Sequence, residues 1–359
     1  MAVYHRGYPM KKGLLLSIAA LLTFSLSLAG CGGASNSAGG ATEGGSAPSG
    51  NGGENLVLKI GDITKPNHSW NRALEKLNQD LQSKSNGRIS LELYPGGELG
   101  NEKDMMQQLD TGNLDMAVIT AAELSSHSDA FGAWLMPFVV DNHEQAYKLW
   151  SSQESMALFE TLGKNNAHGL GYLSSGFRYY LMKSAPITQP ADLASKKLRV
   201  TPSPTILDYY KSLQVSPTPM PLTEVYTALQ TGVIDGIDID SESVQPEKLY
   251  EIAKEMTPSK HMYWIGGILI NKDRWSGLSD EDRKLLEESI TAAMEFNVQD
   301  VSKNEIEGLE FLKQQPDFTI SELKKEDFAP YVEGVESAWS AKSPEIAAFL
   351  KKAKEISNQ

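Results

Sequence analysis

The chain has 359 residues, a formal charge of −13 at pH 7 and a single cysteine. Because phosphate groups are bound by basic faces, so acidic a chain is a poor partner for nucleic acid. One cysteine also excludes an internal disulfide.

The N-terminal segment has the pattern of a secretory signal. Lys11 and Lys12 precede an apolar run from Leu14 to Leu28, and small residues follow that run. A basic head, a short apolar segment and small residues at a cleavage point are typical of a signal peptide. The apolar run is shorter than the roughly 20 residues that a transmembrane helix needs. We therefore predict a signal peptide at residues 1–30.

Leu28-Ala-Gly-Cys31 resembles the bacterial lipobox, in which the cysteine becomes the lipid-modified first residue of the mature protein. The alternative is an unmodified cysteine that happens to lie near a cleavage site. Residues 31–55 are mostly Gly, Ser, Ala and Asn, and such a segment buries too little apolar surface to fold. We expect a disordered tether there and a lipid anchor on the outer side of the bacterial cell membrane. Met1 and Met10 both remain possible starts.

The folded part begins near residue 56 with alternating strand and helix patterns. Strands are predicted at Leu56–Ile60, Ile89–Tyr94 and Asp115–Thr120. Between the first two, apolar residues recur at helical spacing after a capping Ser69 and before Gly87. A second amphipathic helix precedes the third strand. This order predicts a parallel sheet covered by helices.

A second region repeats the first. It shows strands at Lys197–Val200 and Val233–Ile239, and helices at Ser203–Leu213 and Thr223–Thr231. The stretch Leu229-Gln-Thr-Gly-Val-Ile-Asp-Gly236 echoes Leu109-Asp-Thr-Gly-Asn-Leu-Asp-Met116, with a glycine suited to the left-handed end of a helix. Two similar α/β lobes are therefore predicted, although a match this short could be coincidence.

A long helix is predicted after the cap Ser279, where apolar residues recur at steps of three to five. If unbroken, it has about 35 residues and a length of about 50 Å, more than one domain needs. Such a helix would brace both lobes. The alternative is a pair of helices broken near Asn304–Gly308.

Seven short motifs follow one another along the chain. They are Tyr94-Pro-Gly-Gly-Glu-Leu-Gly100, Leu135-Met-Pro-Phe138, Gly176-Phe-Arg178, Lys197-Leu-Arg-Val200, Pro217-Thr-Pro-Met220, Thr223-Glu-Val-Tyr-Thr-Ala-Leu-Gln-Thr-Gly-Val-Ile-Asp-Gly236 and Asn271-Lys272. Together they resemble the solute receptors of tripartite ATP-independent periplasmic (TRAP) transporters of the DctP type. The resemblance runs in the right order over nearly the whole mature chain.

The resemblance implies an α/β, two-lobed periplasmic-binding-protein-like fold with the ligand cleft between the lobes and the long helix bracing both. We expect lobe I at 56–175 plus about 265–305, and lobe II at about 176–264 plus 306–359. It implies a receptor that closes around a small organic acid, such as a dicarboxylate, keto acid or sugar acid. The ligand then passes to integral-membrane TRAP permease subunits. The receptor is expected to be a monomer without enzyme activity or cofactor.

Two arginines carry the expected ligand contacts. By resemblance, Arg199 of the Lys-x-Arg-Val motif forms the main salt bridge to the ligand carboxylate, and Arg178 assists. A planar guanidinium can give a carboxylate two parallel charge-assisted hydrogen bonds, whereas lysine offers a point charge. The alternative for each is an ordinary surface arginine.

The chain departs from the family after Gly236. Many members have Glu-Asn-Pro there, with an asparagine that touches the ligand, and Ile239 replaces that asparagine here. Asp238 and Asp240 are candidates to accept hydrogen bonds from ligand hydroxyls or an amine. The alternative is that both aspartates are solvated or bound to nearby backbone.

Other candidates flank the expected cleft. Thr120 and Glu123 lie at the junction between a predicted strand and the helix after it, where ligands of open α/β sheets tend to sit. The sialic-acid branch has phenylalanine at the position of Leu222 and an arginine near that of Glu123, so sialic acid is disfavoured. Among the aromatic residues, which more often pack in a core, Trp70 and especially Trp264 could stack on a ligand.

Enzyme signatures are weak. The only thiol belongs to Cys31, no Gly-x-Ser-x-Gly elbow occurs, and Gly169–Ser174 fails the dinucleotide fingerprint. The scattered histidines do not indicate a zinc site. A secreted carbohydrate hydrolase using Asp238 and Asp240 remains an alternative, although residues two apart on a strand share a face and sit close together. Another alternative is a ligand-sensing subunit for a membrane kinase.

Overall fold

The computed structural model of the chain describes residues 55–194 and 196–358. The predicted signal peptide, Cys31 and nearly all of the predicted tether lie outside the described residues. The strands are β1 (Leu56–Gly61), β2 (Ile89–Tyr94), β3 (Met116–Thr120), β4 (Ala167–Met182), β5 (Leu198–Val200), β6 (Thr218–Pro219), β7 (Gly236–Asp240), β8 (Glu255–Thr257), β9 (Tyr263–Asn271) and β10 (Thr319–Ile320). The α-helices are α1 (Ser69–Lys84), α2 (Glu102–Thr111), α3 (Ala121–His127), α4 (His143–Trp150), α5 (Gln153–Met156), α6 (Pro204–Ser212), α7 (Leu222–Thr231), α8 (Ser241–Val244), α9 (Lys272–Gly277), α10 (Asp280–Lys313), α11 (Ala329–Lys342) and α12 (Pro344–Ser357).

The first unit, β1–β3 with α1 and α2, is the predicted parallel sheet. β1 pairs in parallel with β2 on one side and β3 on the other. Apolar residues of α1 at helical spacing are buried against it. The cap of α1 differs from the prediction. The imidazole of His68 accepts from the amide of Trp70 at 3.1 Å, while Ser69 is the first helical residue and donates its hydroxyl to the carbonyl of Ser174.

The second unit, β5–β7 with α6 and α7, repeats this topology. β5 pairs in parallel with both β6 and β7, so each unit places its first strand between the other two. Both α2 and α7 end at a glycine in the left-handed conformation, with φ of 73° at Gly112 and 74° at Gly232. β7 begins later than predicted, because the amides of Val233 and Ile234 still bond to the carbonyl of Ala228 and close the end of α7.

Two strands that the sequence analysis did not identify join the units. β9 runs antiparallel to β3 and to β4, and β4 continues past β9 to pair antiparallel with β7. The register of β4 shifts between Ser174 and Gly176, and Gly176 has a φ of 79°. The path through the sheet is therefore β2-β1-β3-β9-β4-β7-β5-β6.

Helix α10 confirms the prediction of one long helix. It runs unbroken for 34 residues, and the alternative of a break near Asn304–Gly308 is wrong. The side chain of Asn304 bonds to the carbonyl of Asp300 one turn earlier, within the helix. α10 packs against α1 and α8, which belong to different ends of the sheet, and against β4. All described residues belong to one compact unit, so the residue limits of the two lobes stay a prediction.

Candidate functional site

A cavity lies where the carboxyl ends of the parallel strands of both units meet. Thr64 follows β1, Thr120 ends β3, Thr201 follows β5 and Asp240 ends β7. The joining strands add Ser175, Arg178 and Trp264, and the remaining lining residues are Ile63, His68, Trp70, Arg199, Leu222, Ile239 and Ser243.

The cavity is narrow in this structure, and all of its lining residues are buried. It holds about 310 Å³ of space between atoms, of which about 20 Å³ is open to the centre of a water-sized sphere. That smaller volume is about what one water molecule needs. A larger ligand therefore enters only when the walls move apart.

Arg199 brings to the cavity a buried charge that has no ion-pair partner among the described residues. Its side chain is 1% exposed, and its nearest polar partners are backbone carbonyls: Nε and Nη2 donate to the Met220 carbonyl at 3.0 and 2.8 Å. A longer bond of 3.5 Å runs from Nη1 to the Asp238 carbonyl. No carboxylate within residues 55–194 and 196–358 forms an ion pair with this guanidinium. Burial lowers the pKa of Arg199 to about 9, and the neighbouring charge of Arg178 acts in the same direction. Arg199 is still charged at neutral pH.

Arg178, in contrast, is compensated. Its Nε pairs with the Asp238 carboxylate, its Nη2 donates to the Asp238 carbonyl, and its Nη1 lies 3.7 Å from Asp240 Oδ2. The guanidinium carbon sits 4.0 Å from the ring centre of Trp264, a cation–π contact. Asp238 and Asp240 are two apart on β7 and share a face, which is why both reach one guanidinium.

Asp238 lies behind the cavity lining. Oδ2 accepts from Tyr210 Oη at 2.9 Å and lies 3.4 Å from His261 Nε2. Burial opposes ionisation of Asp238, but Arg178 and His261 outweigh it and hold the pKa of Asp238 below its usual range. The carboxylate is therefore occupied by protein donors, and its structural role is to fix Arg178.

Asp240 does line the cavity. Burial again opposes ionisation, but His68, Arg178 and Ser243 together lower the pKa of Asp240. A glycosidase needs one carboxyl group whose pKa is raised so that it can act as an acid. With both pKa values lowered, Asp238 and Asp240 do not form such a pair.

The first unit contributes two buried donors. His68 and Trp70 are each 1% exposed, and His68 Nε2 and Trp70 Nε1 have no hydrogen-bond partner in the described part of the chain. Because Nδ1 of His68 accepts the Trp70 amide, a neutral ring carries its proton on Nε2. That nitrogen lies 3.6 Å from Asp240 Oδ1, beyond ordinary hydrogen-bond distance.

Thr120 and Glu123 differ in position. Thr120 lines the cavity, but its hydroxyl is engaged with Glu102 Oε2 at 3.1 Å and with the Glu123 amide at 3.1 Å. The Glu123 carboxylate lies off the lining, 3.2 Å from His127 Nε2. Leu222, Ile239 and Trp264 supply apolar walls.

The sequence analysis missed Glu102, a buried carboxyl group beside this site. Oε1 accepts from the Thr120 amide at 2.5 Å. Burial raises the pKa of Glu102 to about 7 against the effect of that amide, and the charge of Glu123 adds to the rise. A proton therefore moves on and off this group near neutral pH.

Several lining residues also went unnamed: Thr64, His68, Thr201 and Ser243. Their sequence positions could have identified them, because each residue lies within or just beyond the loop that follows a predicted parallel strand. Such loops form the ligand crevice in open α/β sheets.

Two further observations concern metal binding and membrane crossing. Among the described residues, no group of three His, Cys, Asp or Glu side chains is placed to hold a metal ion. None of the helices in that part of the chain combines the length and the apolar character needed to cross a membrane.

The repeated units and the cavity between their strand ends define a two-lobed solute-binding protein. The family model for bacterial extracellular solute-binding protein, family 7 (DctP), matches residues 60–344. The chain belongs to that family, as its motifs predicted. The family consists of receptors, and nothing in these comparisons supports the hydrolase or the kinase-linked sensor.

Individual relatives agree with this assignment. The chain is 26% identical over 282 residues to the C4-dicarboxylate-binding periplasmic protein DctP of Rhodobacter capsulatus, covering 78% of this chain and 84% of the relative. It is 28% identical over 272 residues to the 2,3-diketo-L-gulonate-binding periplasmic protein YiaO of Escherichia coli, covering 76% and 83%. The sugar acid binding protein DctPAm of Advenella mimigardefordensis, solved with galactonate, has a TM-score of 0.80 at 23% identity and shares its fold over 84% of this chain and 99% of its own.

Proposed function

We propose that this protein is an extracytoplasmic receptor that holds the carboxylate of a small organic acid against Arg199 and delivers the acid to a TRAP permease. The observation that carries the proposal is the buried Arg199 guanidinium in the cavity without a carboxylate partner. A buried charge is costly until it is paired, so an anionic ligand stabilises this site. The relatives named above bind a dicarboxylate or sugar-derived acids.

The hydrogen bonds of Arg199 support a two-point contact. Nε and Nη2 share the Met220 carbonyl, and Nη1 makes a single long bond to the Asp238 carbonyl. A guanidinium has five N–H donors, so one N–H on each terminal nitrogen remains. Those two donors match the two oxygens of a carboxylate.

We also propose that binding closes two lobes with the limits predicted from the sequence. Arg72 of α1 supports this, because its Nη2 pairs with Glu242 of α8 at 2.8 Å and with Asp300 of α10 at 2.6 Å. By the predicted limits, the pair with Glu242 joins lobe I to lobe II, whereas Asp300 lies in lobe I with Arg72. Closure of this kind buries a ligand between domains and excludes water from its charged contacts.

The proposed anchor is a lipid on Cys31. Its support is the Leu-Ala-Gly-Cys pattern followed by a Gly- and Ser-rich segment. A tether of that composition would let the receptor reach a permease in the same membrane.

The test is a thermal-shift screen of residues 56–359 against dicarboxylates, keto acids and sugar acids, followed by calorimetry. A ligand at a hundred times its Kd should add about 2.7 kcal/mol to stability. Arg199→Ala should weaken ligand binding by about 2–5 kcal/mol. Arg199→Lys should weaken it nearly as much, because lysine keeps the charge but lacks the two parallel N–H donors of the guanidinium.

The matched control is Arg274→Lys, which makes the same exchange at a side chain that is 41% exposed and outside the cavity. It should bind as the parent does. Parental affinity in Arg199→Lys would contradict the two-point contact.

A further inference from the structure

The charges that line the cavity distinguish one end of a ligand from the other. Arg178 and Arg199 are the two arginines of the lining, and no lysine lines it within the described residues. Arg178 already pairs with the carboxylates of Asp238 and Asp240, whereas Arg199 forms no ion pair with a carboxylate of the described residues. The cavity therefore has one cationic partner to offer, and a second carboxylate would meet none.

Two other lining residues, His68 and Asp240, suit a hydroxyl group. The proton-bearing Nε2 of His68 has no hydrogen-bond partner among the described residues, and it lies 3.6 Å from Oδ1 of Asp240. Oδ1 accepts the Ser243 amide and can accept a second hydrogen bond. A hydroxyl can accept from the imidazole and donate to the carboxylate at the same time. A ligand carboxylate could accept from His68, but it would stand against the ionised Asp240 and be repelled.

A second buried donor belongs to Trp70, another residue of the lining. Its Nε1 has no hydrogen-bond partner among the described residues. A buried donor without an acceptor destabilises the folded protein until a ligand supplies one. Ligand hydroxyl or ring oxygens fit this need.

We infer that the ligand is a polyhydroxy monocarboxylate, with its carboxylate on Arg199 and a hydroxyl bridging His68 Nε2 and Asp240 Oδ1. The inference rests on the proposed function, and it narrows the class of organic acid. Dicarboxylates of the same chain length are the class that the site rejects, and Asp240 is the residue that rejects them.

The experiment uses matched acids that differ only in oxidation of the terminal alcohol to a carboxylate. The pairs are galactonate with galactarate, gluconate with glucarate, and glycerate with tartronate. In calorimetry on residues 56–359, the monoacid of every pair that binds should bind at least about 30-fold more tightly, as expected when a charge is buried without a partner.

Asp240→Asn supplies the second arm. Asparagine keeps the side-chain oxygen that accepts from the Ser243 amide at the start of α8 and removes the repelling charge. The preference for the monoacid should fall to about a few-fold. Asp208→Asn, at a carboxylate that is 48% exposed and outside the cavity, should leave the preference unchanged.

The outcomes separate the two proposals. If a diacid binds as tightly as its monoacid, or Asp240→Asn keeps the full preference, the inference is overturned and the proposed function stands. If no organic acid of the wider screen binds, the proposed function fails and this inference fails with it.

Discussion

Replacing Glu102 with glutamine should change how the stability of this protein depends on pH. The carboxyl group is 8% exposed, and its pKa is about 7 in place of the usual 4.5. Between these values the folded state binds a proton that the unfolded state has released. Stability of the parent therefore falls as pH rises from 4.5 to 7 through this group.

The size of the effect follows from the shift. The pKa rise corresponds to about 3 kcal/mol at pH 8, lost progressively across that window. Glutamine cannot ionise, so the variant lacks this loss. Its contacts can be kept: Oε1 accepts from the Thr120 amide, and Nε2 donates to the Thr120 hydroxyl, which has two acceptor lone pairs.

The assay is urea denaturation of parent and variant at pH 4.5, 6, 7 and 8. Asp62, whose pKa burial raises to about 6, contributes a slope of the same sign to both proteins and cancels in the difference. The stability of Glu102→Gln relative to the parent should rise by about 3 kcal/mol between pH 4.5 and 8. Glu310→Gln, at an exposed carboxylate, should show no such rise. A flat difference for Glu102→Gln would refute the reasoning.

Three further perturbations test other parts of the molecule. Tyr210→Phe removes a hydrogen bond to the buried carboxylate of Asp238 and should cost about 2 kcal/mol in urea denaturation; an unshifted midpoint would contradict that role. Arg72→Met removes the pair with Glu242, so ligand affinity should fall by up to about 5-fold and spin labels on α1 and α8 should move apart. An unchanged distance distribution would show that this ion pair does not hold α1 against α8. Cys31→Ser in the full chain should shift the protein out of the detergent phase in phase partitioning while ligand binding persists, and equal partitioning would exclude the lipid anchor.

The local elements were predictable because their signals are local. The glycines after α2 and α7, the apolar spacing of α1 and the long pattern of α10 each depend on residues a few positions apart, and the structure agrees with them. The family followed from short motifs in a fixed order. These signals need no knowledge of tertiary contacts.

The features that the sequence analysis missed depend on contacts between residues distant in sequence. The strand β4 is completed by β9 and β7, which come much later in the chain. The raised pKa of Glu102 requires the Thr120 segment to cover it, and the commitment of Asp238 to Arg178 requires β4 to lie beside β7. The predicted N-cap of α1 was wrong by one residue. Serine is the commoner N-cap residue, but in the structure the imidazole of His68 accepts the capping hydrogen bond.

The position of β9 has a consequence for how the chain reaches its folded state. β3 is complete by Thr120 and pairs with β1 on one side, yet its neighbour on the other side is Tyr263–Asn271. The first unit therefore stays open at that edge until most of the chain has been made. Folding that waits for such non-local pairing is slow. Because the edge of β3 cannot be covered before residues 263–271 have been made, closure of the sheet between the two units is a late step of folding.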